Sequence, residues 1–548
     1  MGRRQGERDE AERLLHQLER KEFVRRERRS SIADEGQLSF RHVLVRDVAY
    51  GQLPRPRRAE AHARAAAWLE SLGGDELAEQ LAYHYECALE LRRALGEETA
   101  DLAGRAVEAF HQAGERALSV NAFEAARRFF EAELDLRPED DPRRPYARLG
   151  LGKARGHAEG GGAAELEQAF EELQAAGDVE TAAEVASSLG PLLWARGETE
   201  GAAEWLHRSG DLVADLPPSR TKAMVLGRLA GLHSVRDEAD DAIRVAEAAL
   251  ELAGQLGAED VRARALGALG NARTQNGDWK GFEDHALSVE LATRLRSPEA
   301  IVNIINYAGS LIAYGDLAGA FELQEQGRKL SEELGEGRYA AWLHAERVSE
   351  LHWTGRWDEA LELADEVVAG SAEVAAYMEI PARLIRARIR FDRGASAEAL
   401  ADVEPALAQS LEIGEVQVVV PALALRARLR LEDDPAGAEA DVASVLERIR
   451  GKEVWASYAW SDLGVVLVGL ELPFPELNVS SRWIEAARAF ATDRAAAAEI
   501  YAEIGSRPDE AFARLQAGTE AEVARARAFY REVGASRAAS GSASARGS

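Results

Sequence analysis

The chain has 548 residues, of which 46% are hydrophobic and 30% are charged, so it can bury a sizeable core. Its 67 Lys and Arg against 95 Asp and Glu give a formal charge of −28, which disfavours nucleic acid and acidic membrane as partners of the whole surface. One cysteine, Cys87, a charged N-terminus without a signal peptide and no apolar run of ~18 residues predict a cytoplasmic protein with no membrane partner.

The N-terminal segment, residues 1–72, differs in pattern from the rest. Apolar residues at helical spacing predict a first helix that ends near Lys21. The stretches "EFVRRERR" and "QLSFRH" alternate weakly and flank the turn-rich "SSIADEG", which predicts two short strands. Helix, strand, turn and strand follow one another in the second half of a winged helix. Two further helices are expected, one from near Leu44 and a basic one from Arg57 to Leu72.

This segment contains the phrase "FRHVLVRDVAY", followed by an arginine and a histidine. The residues that carry the phrase are Phe40, Arg41, His42, Arg46, Asp47, Tyr50, Arg58 and His62. Together with the preceding "LERKEFVRRERRSS", the phrase resembles one found in large bacterial signal-transducing P-loop ATPase proteins, which include adenylate/guanylate cyclases and transcription activators. The later stretches "AEIYAEIGSRPDEAFARLQAG" and "ARAFYREVGA" resemble the end of the cyclase-associated members.

In the cyclase type of that family, an output domain and a P-loop ATPase domain precede a winged helix and tetratricopeptide-like repeats. The resemblance therefore implies that this chain corresponds to the C-terminal repeat region of such a protein and lacks the cyclase and ATPase domains. It also implies that the eight residues named above form the junction to an ATPase domain.

The sequence offers no catalytic motif to accompany this resemblance. "GLGKA" at Gly150 and "GKE" at Gly451 lack the spacing and the Ser or Thr of a GxxxxGK[ST] phosphate loop. The 11 histidines are scattered, with no HExxH and no close Cys/His set. His42, Arg46 and Asp47 stand at helical spacing, which favours a structural network over acid–base chemistry. We therefore expect no enzyme activity, no cofactor and no metal.

A phrase in which a turn is followed by a small residue that opens a helix recurs along most of the chain, as in "NGDWKGF", "YGDLAGAF" and "TGRWDEAL". The residues that open the helices are Ala126, Ala164, Ala202, Ala242, Phe282, Ala320, Ala360, Ala399 and Ala438, spaced about 38 to 40 apart. This period resembles that of tetratricopeptide repeats, in which each repeat is a pair of antiparallel helices.

The apolar spacing inside one period is helical. Val348 and Leu351 lie on the apolar face of a first helix, Gly355 is the expected turn, and Trp357 and Ala360 begin the apolar face of a second helix. Since one such hairpin cannot bury its own apolar face, we expect neighbouring pairs to stack into a curved solenoid. Pro381 stands where a helix is expected and could kink it.

The regular spacing ends after Ala438. The stretch "LELPFPELNVS" predicts an irregular insertion, followed by two helices at "RWIEAARAF" and "RAAAAEIYAEI" and a last helix near residues 521–533. The sequence thus predicts an all-α fold: a tetratricopeptide-like right-handed helical solenoid with a partial winged-helix segment at the N-terminus. The predicted domains are the winged-helix and ATPase-junction segment at 1–72, the solenoid at 73–534 and a disordered tail at 535–548.

The first helix of each pair is expected to form the concave face of the solenoid. Candidate groove residues on it are Asn303, Asn306, Tyr307, Tyr314, His344 and Arg347. Asn303 and Asn306, three residues apart, could clamp a peptide backbone, although polar residues there could equally face only water. The acidic chain favours a basic or neutral peptide. We expect a non-catalytic module for protein–protein interaction and signal sensing, whose partners are a protein or peptide in the groove and an ATPase or cyclase domain, in cis or in trans.

The alternative is a fragment of a DNA-binding transcriptional regulator. Residues 1–68 hold 16 Lys and Arg against 11 Asp and Glu, so this segment is basic in an acidic chain. Glu19, Glu22 and Glu27 interleave with the arginines, and half of the winged helix is missing. Nucleic acid is therefore not expected to be the main partner.

Overall fold

The computed structural model describes residues 2–27, 36–236, 238–370, 376–450, 454 and 456–535. The predicted disordered tail therefore lies, apart from Ala535, outside the described residues. The chain divides into two compact units. The first comprises Met1–Arg116 with Phe129–Pro138, and the second comprises Ala117–Arg128 with Glu139–Ser548.

The first unit begins with the predicted helix, strand and strand. Along its described residues lie α1 (Gly2–Arg20), β1 (Val24–Arg26), β2 (Leu38–Phe40), α2 (Val43–Gln52), α3 (Arg55–Leu72), a 3-10 turn at Asp75–Leu77, α4 (Ala78–Ala94), and parts of α5 (Ala100–Ser119) and α6 (Phe123–Leu136). The two strands are antiparallel, with Val24 opposite Phe40 and Arg26 opposite Leu38. A sheet of two three-residue strands does not by itself establish a winged helix.

The rest of the first unit is helical. Helix α3 packs on α4, with Ala66 and Leu69 of α3 and Ala82 and Tyr85 of α4 buried. Helix α5 approaches α6 closely, because a Cβ added at Gly114 would lie 2.7 Å from the ring of Phe130. Glycine at this position therefore lets the two helices meet without a clash.

The second unit is a succession of helix pairs. Its remaining helices are α7 (Arg144–Glu159), α8 (Ala163–Ala176), α9 (Val179–Ala195), α10 (Thr199–Val213), α11 (Arg220–Val235), α12 (Ala239–Leu256), α13 (Glu259–Gln275), α14 (Gly281–Arg294), α15 (Glu299–Tyr314), α16 (Leu317–Leu334), α17 (Gly337–Trp353), α18 (Trp357–Ala369), α19 (Glu379–Asp392), α20 (Ser396–Ile413), α21 (Val416–Arg430), α22 (Pro435–Arg448), α23 (Trp460–Gly469), α24 (Arg482–Thr492), α25 (Arg494–Ile504), α26 (Arg507–Ala517) and α27 (Glu520–Glu532). Short 3-10 turns precede α19 and α23, at Ala376–Met378 and Ser457–Ala459.

From α7 to α22, each odd-numbered helix packs on the even-numbered helix that follows it. First helices also pack on the next first helix, as α11 does on α13 and α13 on α15. Short turns between packed helices make each pair antiparallel. This stacking of two-helix repeats confirms the all-α, tetratricopeptide-like solenoid expected from the sequence.

The small residues that open the second helices follow the predicted period, with two corrections of register. Seven of them, from Ala126 to Ala438, are at most 1% exposed. Ala164, however, is exposed, and the buried position next to the preceding helix is Gly162. A Cβ on Gly162 would lie 2.9 Å from the Cα of Gly152 on α7. In α14 the position belongs to Gly281, not Phe282, since a Cβ there would lie 2.5 Å from the carbonyl oxygen of Gly270. The register therefore holds a small residue in all nine copies.

The period between α17 and α18 matches the prediction in detail. Val348 and Leu351 are buried on α17, and Trp357 and Ala360 are buried on α18. Between them Gly355 has a φ of +84°, the left-handed conformation that ends many helices and that a side chain would strain. Pro381 is the third residue of α19, where backbone N–H groups have no partner within the helix, so it removes no helical hydrogen bond.

After α22 the repeat is less regular, as predicted. Residues 471–481 form no helix or strand and precede the expected pair α24 and α25. Helix α27 corresponds to the predicted last helix, whereas α26 was not among the predicted elements. Trp460, Trp483 and Tyr501 are buried in the apolar core of this region.

Helices far apart in the sequence also meet inside the second unit. His157 Nδ1 on α7 lies 2.8 Å from Glu336 Oε1, which precedes α17. Trp483 Nε1 on α24 donates a 2.7 Å hydrogen bond to the carbonyl oxygen of Ile312 on α15. These contacts, between residues 179 and 171 apart, join successive turns of the solenoid to one another.

Within the described ranges, none of the helices combines the length and the apolar character of a bilayer-spanning segment.

Candidate functional site

The second unit encloses a cavity of about 490 Å³. Its wall is formed mainly by the first helices of seven successive pairs, α9, α11, α13, α15, α17, α19 and α21. The second helices of these pairs lie mostly outside the wall, because each pair turns its first helix inwards. A volume of this size accommodates a drug-sized molecule or a few residues of a peptide.

Of the predicted groove residues, Asn303 and Asn306 of α15 line this cavity. Asn303 is 1% exposed, and its Nδ2 donates long hydrogen bonds to the carbonyl oxygens of Ala263 and Ser288, at 3.4 and 3.5 Å. Its amide therefore joins three neighbouring helices. Asn306 is half-buried and makes no side-chain hydrogen bond to another described residue, which leaves its amide available to a ligand.

The other four predicted groove residues lie away from the cavity lining. The rings of Tyr307 and His285 are stacked at 5.3 Å, and the ring of Tyr314 meets that of Trp279 edge-on at 4.8 Å. Both tyrosines thus pack between repeats. The side chain of His344 is half exposed and lies 3.6 Å from Glu366 Oε1 of α18. Arg347 is half-buried on the same helix, α17.

Three arginines form one wall of the cavity: Arg228 on α11, Arg264 on α13 and Arg338 on α17. Arg264 forms an ion pair with Glu299 of α15. Arg228 donates from Nη1 to the hydroxyl oxygens of Ser187 and Ser188, at 2.6 and 3.1 Å. This wall therefore presents guanidinium groups to the interior of an acidic chain.

Arg338 is the most buried of the three, at 6% exposed. Its Nη1 donates to the carbonyl oxygen of Pro191 at 3.4 Å, and its Nη2 donates to the hydroxyl of Tyr339 at 2.5 Å. Pro191 belongs to α9, so Arg338 joins α17 to a helix almost four repeats earlier.

A cluster of aromatic rings forms a second wall. The rings of Trp194 on α9, Trp342 on α17 and Tyr377 before α19 lie 4.9 to 5.6 Å from one another. Trp194 Nε1 and the Tyr377 hydroxyl donate to the two carboxylate oxygens of Glu415, at 2.9 and 2.8 Å. One carboxylate thus fixes two rings that lie far apart in the sequence.

Glu346 lies on the same wall, one turn after Trp342. Trp342 Nε1 donates to its Oε1 at 2.8 Å, and Gln324 Nε2 donates to its Oε2 at 2.8 Å. Burial raises the pKa of the Glu346 carboxyl to about 7, and these two hydrogen bonds only partly offset that effect. Gln324 Oε1 has no partner among the described residues, so it can accept a hydrogen bond from a protonated Glu346.

At the far end of the cavity, Arg388 of α19 forms an ion pair with Asp462 of α23. His352 of α17 is 1% exposed, and burial holds the pKa of its imidazole well below the usual range. Its ring stacks on that of Trp357 at 5.9 Å, so it serves as a neutral packing residue.

The residues of the predicted ATPase junction lie in the first unit, and three of them are brought together. The Tyr50 hydroxyl lies 2.9 Å from His62 Nε2, and the Arg58 guanidinium lies 5.0 Å from the centre of the Tyr50 ring. His62 Nδ1 in turn lies 2.9 Å from His84 Nδ1 of α4. Burial lowers the pKa of both imidazoles, which is consistent with a neutral pair sharing one proton.

The other junction residues lie at the surface. Arg41 lies 3.4 Å from Glu22, and Arg46 forms an ion pair with its neighbour Asp47 at 2.7 Å. His42 precedes α2 without a side-chain hydrogen bond to the helix end. Phe40 is 45% exposed.

Helix α2 has no buried residue, although it carries four valines and leucines. Leu44 and Val48, one turn apart, are 64% and 61% exposed. Among the described residues, 12 of the 18 exposed large hydrophobic side chains fall between Leu14 and Tyr83. These twelve are Leu14, Leu18, Phe23, Phe40, Val43, Leu44, Val48, Tyr50, Leu53, Trp68, Leu72 and Tyr83. We call Leu44 and Val48, which share one side of α2, the apolar face. Exposed apolar side chains on one side of a helix that buries none of its residues are typical of a surface that another protein covers.

Sequence reasoning did not single out the arginine wall. A usable signal existed, because Arg228 and Arg264 stand 36 residues apart in first helices and each lies among small residues, in "VLGRLAG" and "ARALGAL". Charged residues that recur among small residues in successive first helices indicate an interior lined with charge.

No protein-family model and no curated protein sequence matches this chain. Among solved structures, it is similar to a Rap protein complexed with competence and sporulation factor, at 14% identity over 72% of this chain and 99% of that chain, with a TM-score of 0.39. It is similar to aspartyl phosphate phosphatase F from Bacillus subtilis at 12% identity, over 66% and 95% of the two chains, with a TM-score of 0.37. A chain of the APC/C hetero-tetramer Cut9-Hcn1 is 13% identical over 91% and 98%, with a TM-score of 0.39. TM-scores this low support no argument about the fold, so the fold is described from the pairing of its helices.

Proposed function

We propose that this chain is a non-catalytic binding and regulatory module whose cavity takes a segment of a peptide or protein. The observation that supports this proposal most directly is the cavity formed by α9 to α21. Seven first helices contribute to it, and both Asn306 and the arginine wall offer hydrogen-bond donors beside aromatic rings. Such a mixture of apolar wall and few polar groups is the usual composition of a ligand site.

Occupancy of the cavity would act on the contacts between distant repeats. Trp194 of α9 and Glu415 at the start of α21 meet at the cavity wall, as do Arg338 and Pro191. A ligand that pushes these helices apart, or draws them together, changes the curvature of the solenoid. We propose that this change restrains or releases an ATPase or cyclase domain, in the same chain or in a separate one.

The apolar face of the first unit supports such a partner. It lies in the segment that resembles the ATPase junction, on α2, which buries none of its own side chains. A helix without packing contacts gains little stability from propensity alone, so covering Leu44 and Val48 would stabilise it. We propose that a P-loop ATPase domain docks on this face.

The alternative of DNA binding through the N-terminal segment has weaker support. Arg25 Nε donates to Glu27 Oε1 at 2.9 Å and to the Ser39 hydroxyl at 3.1 Å. Arg28 and Arg29 lie outside the described residues. Since carboxylates of the same segment already neutralise part of its basic charge, contact with phosphates would have to displace them.

The first test uses a peptide library displayed on phage and the full chain immobilised as bait. Gly309 lines the cavity on α15, and no atom lies within 4 Å of a Cβ added there, so Gly309→Trp introduces an indole at the cavity wall with no clash at its Cβ. Gly254 of α12 is exposed and has the same free space, so Gly254→Trp is the matched control. We expect selected peptides to bind the wild type and Gly254→Trp but not Gly309→Trp. Peptides that bind all three equally would contradict a cavity site.

The second test concerns the apolar face. An isolated P-loop ATPase domain from a protein that carries the "FRHxLxRDVAY" phrase is mixed with this chain, and binding is followed by calorimetry. The double variant Leu44→Asp, Val48→Asp is expected to abolish binding, because it places two charges in an apolar contact. Leu256→Asp, at an exposed leucine of α12, should leave it unchanged. Equal binding by all three chains would reject this docking face.

A further inference from the structure

Most of the hydrogen-bond partners of the arginine wall are neutral groups. Among the three guanidinium groups, direct ion pairing to a carboxylate is found for Arg264, with Glu299. The donors of Arg228 go to two serine hydroxyls, and those of Arg338 go to a carbonyl and a tyrosine hydroxyl. Within the described part of the chain, the Nε of each of the three arginines is buried without a hydrogen-bond partner.

The three groups belong to one site. A Cβ added at Gly227 would lie 3.2 Å from Arg264 Cδ, so the Arg264 side chain packs against α11 at the residue before Arg228. The Tyr339 hydroxyl, bonded to Arg338, is within electrostatic range of Arg264 and Glu299. Burial and the nearby Arg264 lower the pKa of Arg228 to about 10, and the carboxylates of Glu299 and Glu184 only partly offset this effect.

This pattern is unusual in a chain with 95 acidic and 67 basic residues. The chain has more carboxylates than basic groups, yet two of the three guanidinium groups donate their hydrogen bonds to neutral groups. Buried charges are normally paired. A guanidinium group that has no carboxylate partner within the protein can therefore donate hydrogen bonds to the carboxylate of a ligand. Because Arg338 is only 6% exposed, its guanidinium group is not simply solvated by bulk water.

We propose that the cavity recognises an organic anion, a carboxylate or comparable oxyanion on an apolar body, through Arg228, Arg264 and Arg338. The inference deepens the proposed function and rests on it. Trp342 lies one helical turn after Arg338 and its indole faces the cavity, so the apolar body of the ligand lies against the aromatic wall while its anion meets the guanidinium groups. The ligand charge is therefore opposite to that expected from the net charge of the chain.

The first experiment compares two fluorescent probes that share one aromatic body, anilinonaphthalene sulfonate and its sulfonate-free analogue phenylnaphthylamine. Each is titrated into the full chain, and the signal lost in Gly309→Trp but kept in Gly254→Trp is taken as cavity binding. We expect the anionic probe to bind the cavity about tenfold more tightly than the neutral one, because it gains charge-assisted hydrogen bonds.

Substitution of the arginines then tests the residues. Arg228→Gln and Arg338→Gln keep polar side chains on the same neighbours and should each weaken the anionic probe about tenfold while leaving the neutral probe unchanged. Arg262→Gln is the matched control, since Arg262 pairs with Glu259 on the outer side of α13 and does not line the cavity. If one cavity variant fails to fold, as judged by circular dichroism, the other is still decisive.

The carboxylate could belong to a peptide or to a free organic acid, and two further arms separate these sources. One uses a pool of acetylated pentapeptides without acidic residues, with free or amidated C-termini; the other uses naphthoate. Binding of the free-terminus pool that is lost in Arg338→Gln identifies a peptide terminus, and binding of naphthoate that is lost in the same variant identifies a free acid.

The outcomes separate the two proposals. If both fluorescent probes bind in the cavity equally well and neither responds to Arg228→Gln or Arg338→Gln, recognition of an anion is overturned while the cavity remains a binding site. If neither probe nor any displayed peptide binds in a way that Gly309→Trp abolishes, the proposed function fails and this inference fails with it.

Discussion

Trp342 and Glu346, one turn apart on α17, are joined by a 2.8 Å hydrogen bond from the indole to the carboxyl group inside the cavity. The pKa of this carboxyl is raised from an ordinary 4.5 to about 7 by burial. Between these values the folded chain binds more protons than the unfolded chain, so the contribution of Glu346 to stability falls as the pH rises.

Glu346→Gln should therefore remove a pH dependence. We expect the variant to be more stable than the wild type above about pH 7, by at most about 3 kcal/mol, and equal to it near pH 4. Urea unfolding of both chains across this pH range measures the difference. Glu362→Gln, at an exposed position of α18, removes the same charge and serves as the control. A difference between wild type and Glu346→Gln that does not change with pH would contradict the raised pKa.

The register of the second repeat can be tested at Gly162. It has a φ of +89°, and a Cβ would lie 2.9 Å from Gly152 Cα, so Gly162→Ala should cost more than about 2 kcal/mol. Gly177, at the other end of α8, has a φ of +79° but no atom within 4 Å of a Cβ. Gly177→Ala thus reports the backbone strain alone, about 1 kcal/mol. Equal losses in thermal unfolding would mean that the close approach of α7 and α8 is absent.

Trp357 fills the space between α17, α18 and α27. It is 1% exposed, donates from Nε1 to the carbonyl oxygen of His352 at 3.1 Å, and meets Phe529 edge-on at 5.8 Å. Trp357→Ala should cost about 3–5 kcal/mol through the cavity it leaves. Trp68→Ala, at a 43% exposed tryptophan, should change stability by no more than about 0.5 kcal/mol. An unchanged melting curve for Trp357→Ala would show that this position is not in the core.

The bond between Trp194 and Glu415 should stabilise the second unit across six repeats, from α9 to α21. Trp194→Phe keeps an aromatic ring and removes the 2.9 Å hydrogen bond, and Tyr377→Phe removes the second bond to the same carboxylate. Each should cost about 1 kcal/mol, because a half-buried carboxylate loses one donor while Gln417 Nε2 still donates to its Oε2. In a double-mutant cycle measured by urea unfolding, we expect the double variant to lose more than the sum of the singles. If the two losses of stability simply add, water replaces the missing donors at the carboxylate and the expected coupling is absent.

Much of the fold could be predicted because its determinants are local. Helical spacing of apolar residues gave the helix pairs, and Gly355 and Trp357 fell where the turn and the next helix were expected. The stretch "EGGGAAE" does not show whether position 162 or 164 is the small residue buried against the preceding helix, since several small residues lie side by side. Only the contact with Gly152 distinguishes them. Helix α26 was not predicted, although its second residue, Pro508, is of the type favoured in the first turn of a helix.

The site was less accessible to sequence reasoning. Asn303 and Asn306 line the cavity, and their role in holding a ligand remains a prediction. Tyr307 and Tyr314 share their helix but face other repeats, and helical spacing alone does not say which face turns inwards. Trp194 and Glu415 meet across 221 residues, and nothing in the local pattern of either helix encodes that contact.

The contacts between distant repeats also govern how this chain folds during synthesis. In a linear array each repeat could settle as soon as its neighbour exists. Here Trp194 must wait for the 221 residues that separate it from Glu415, which takes roughly 10–40 s at ordinary rates of translation. During that interval the indole of Trp194 lacks its Glu415 partner, and that of Trp342 joins it only after a further 148 residues, so this wall of the cavity closes late in synthesis.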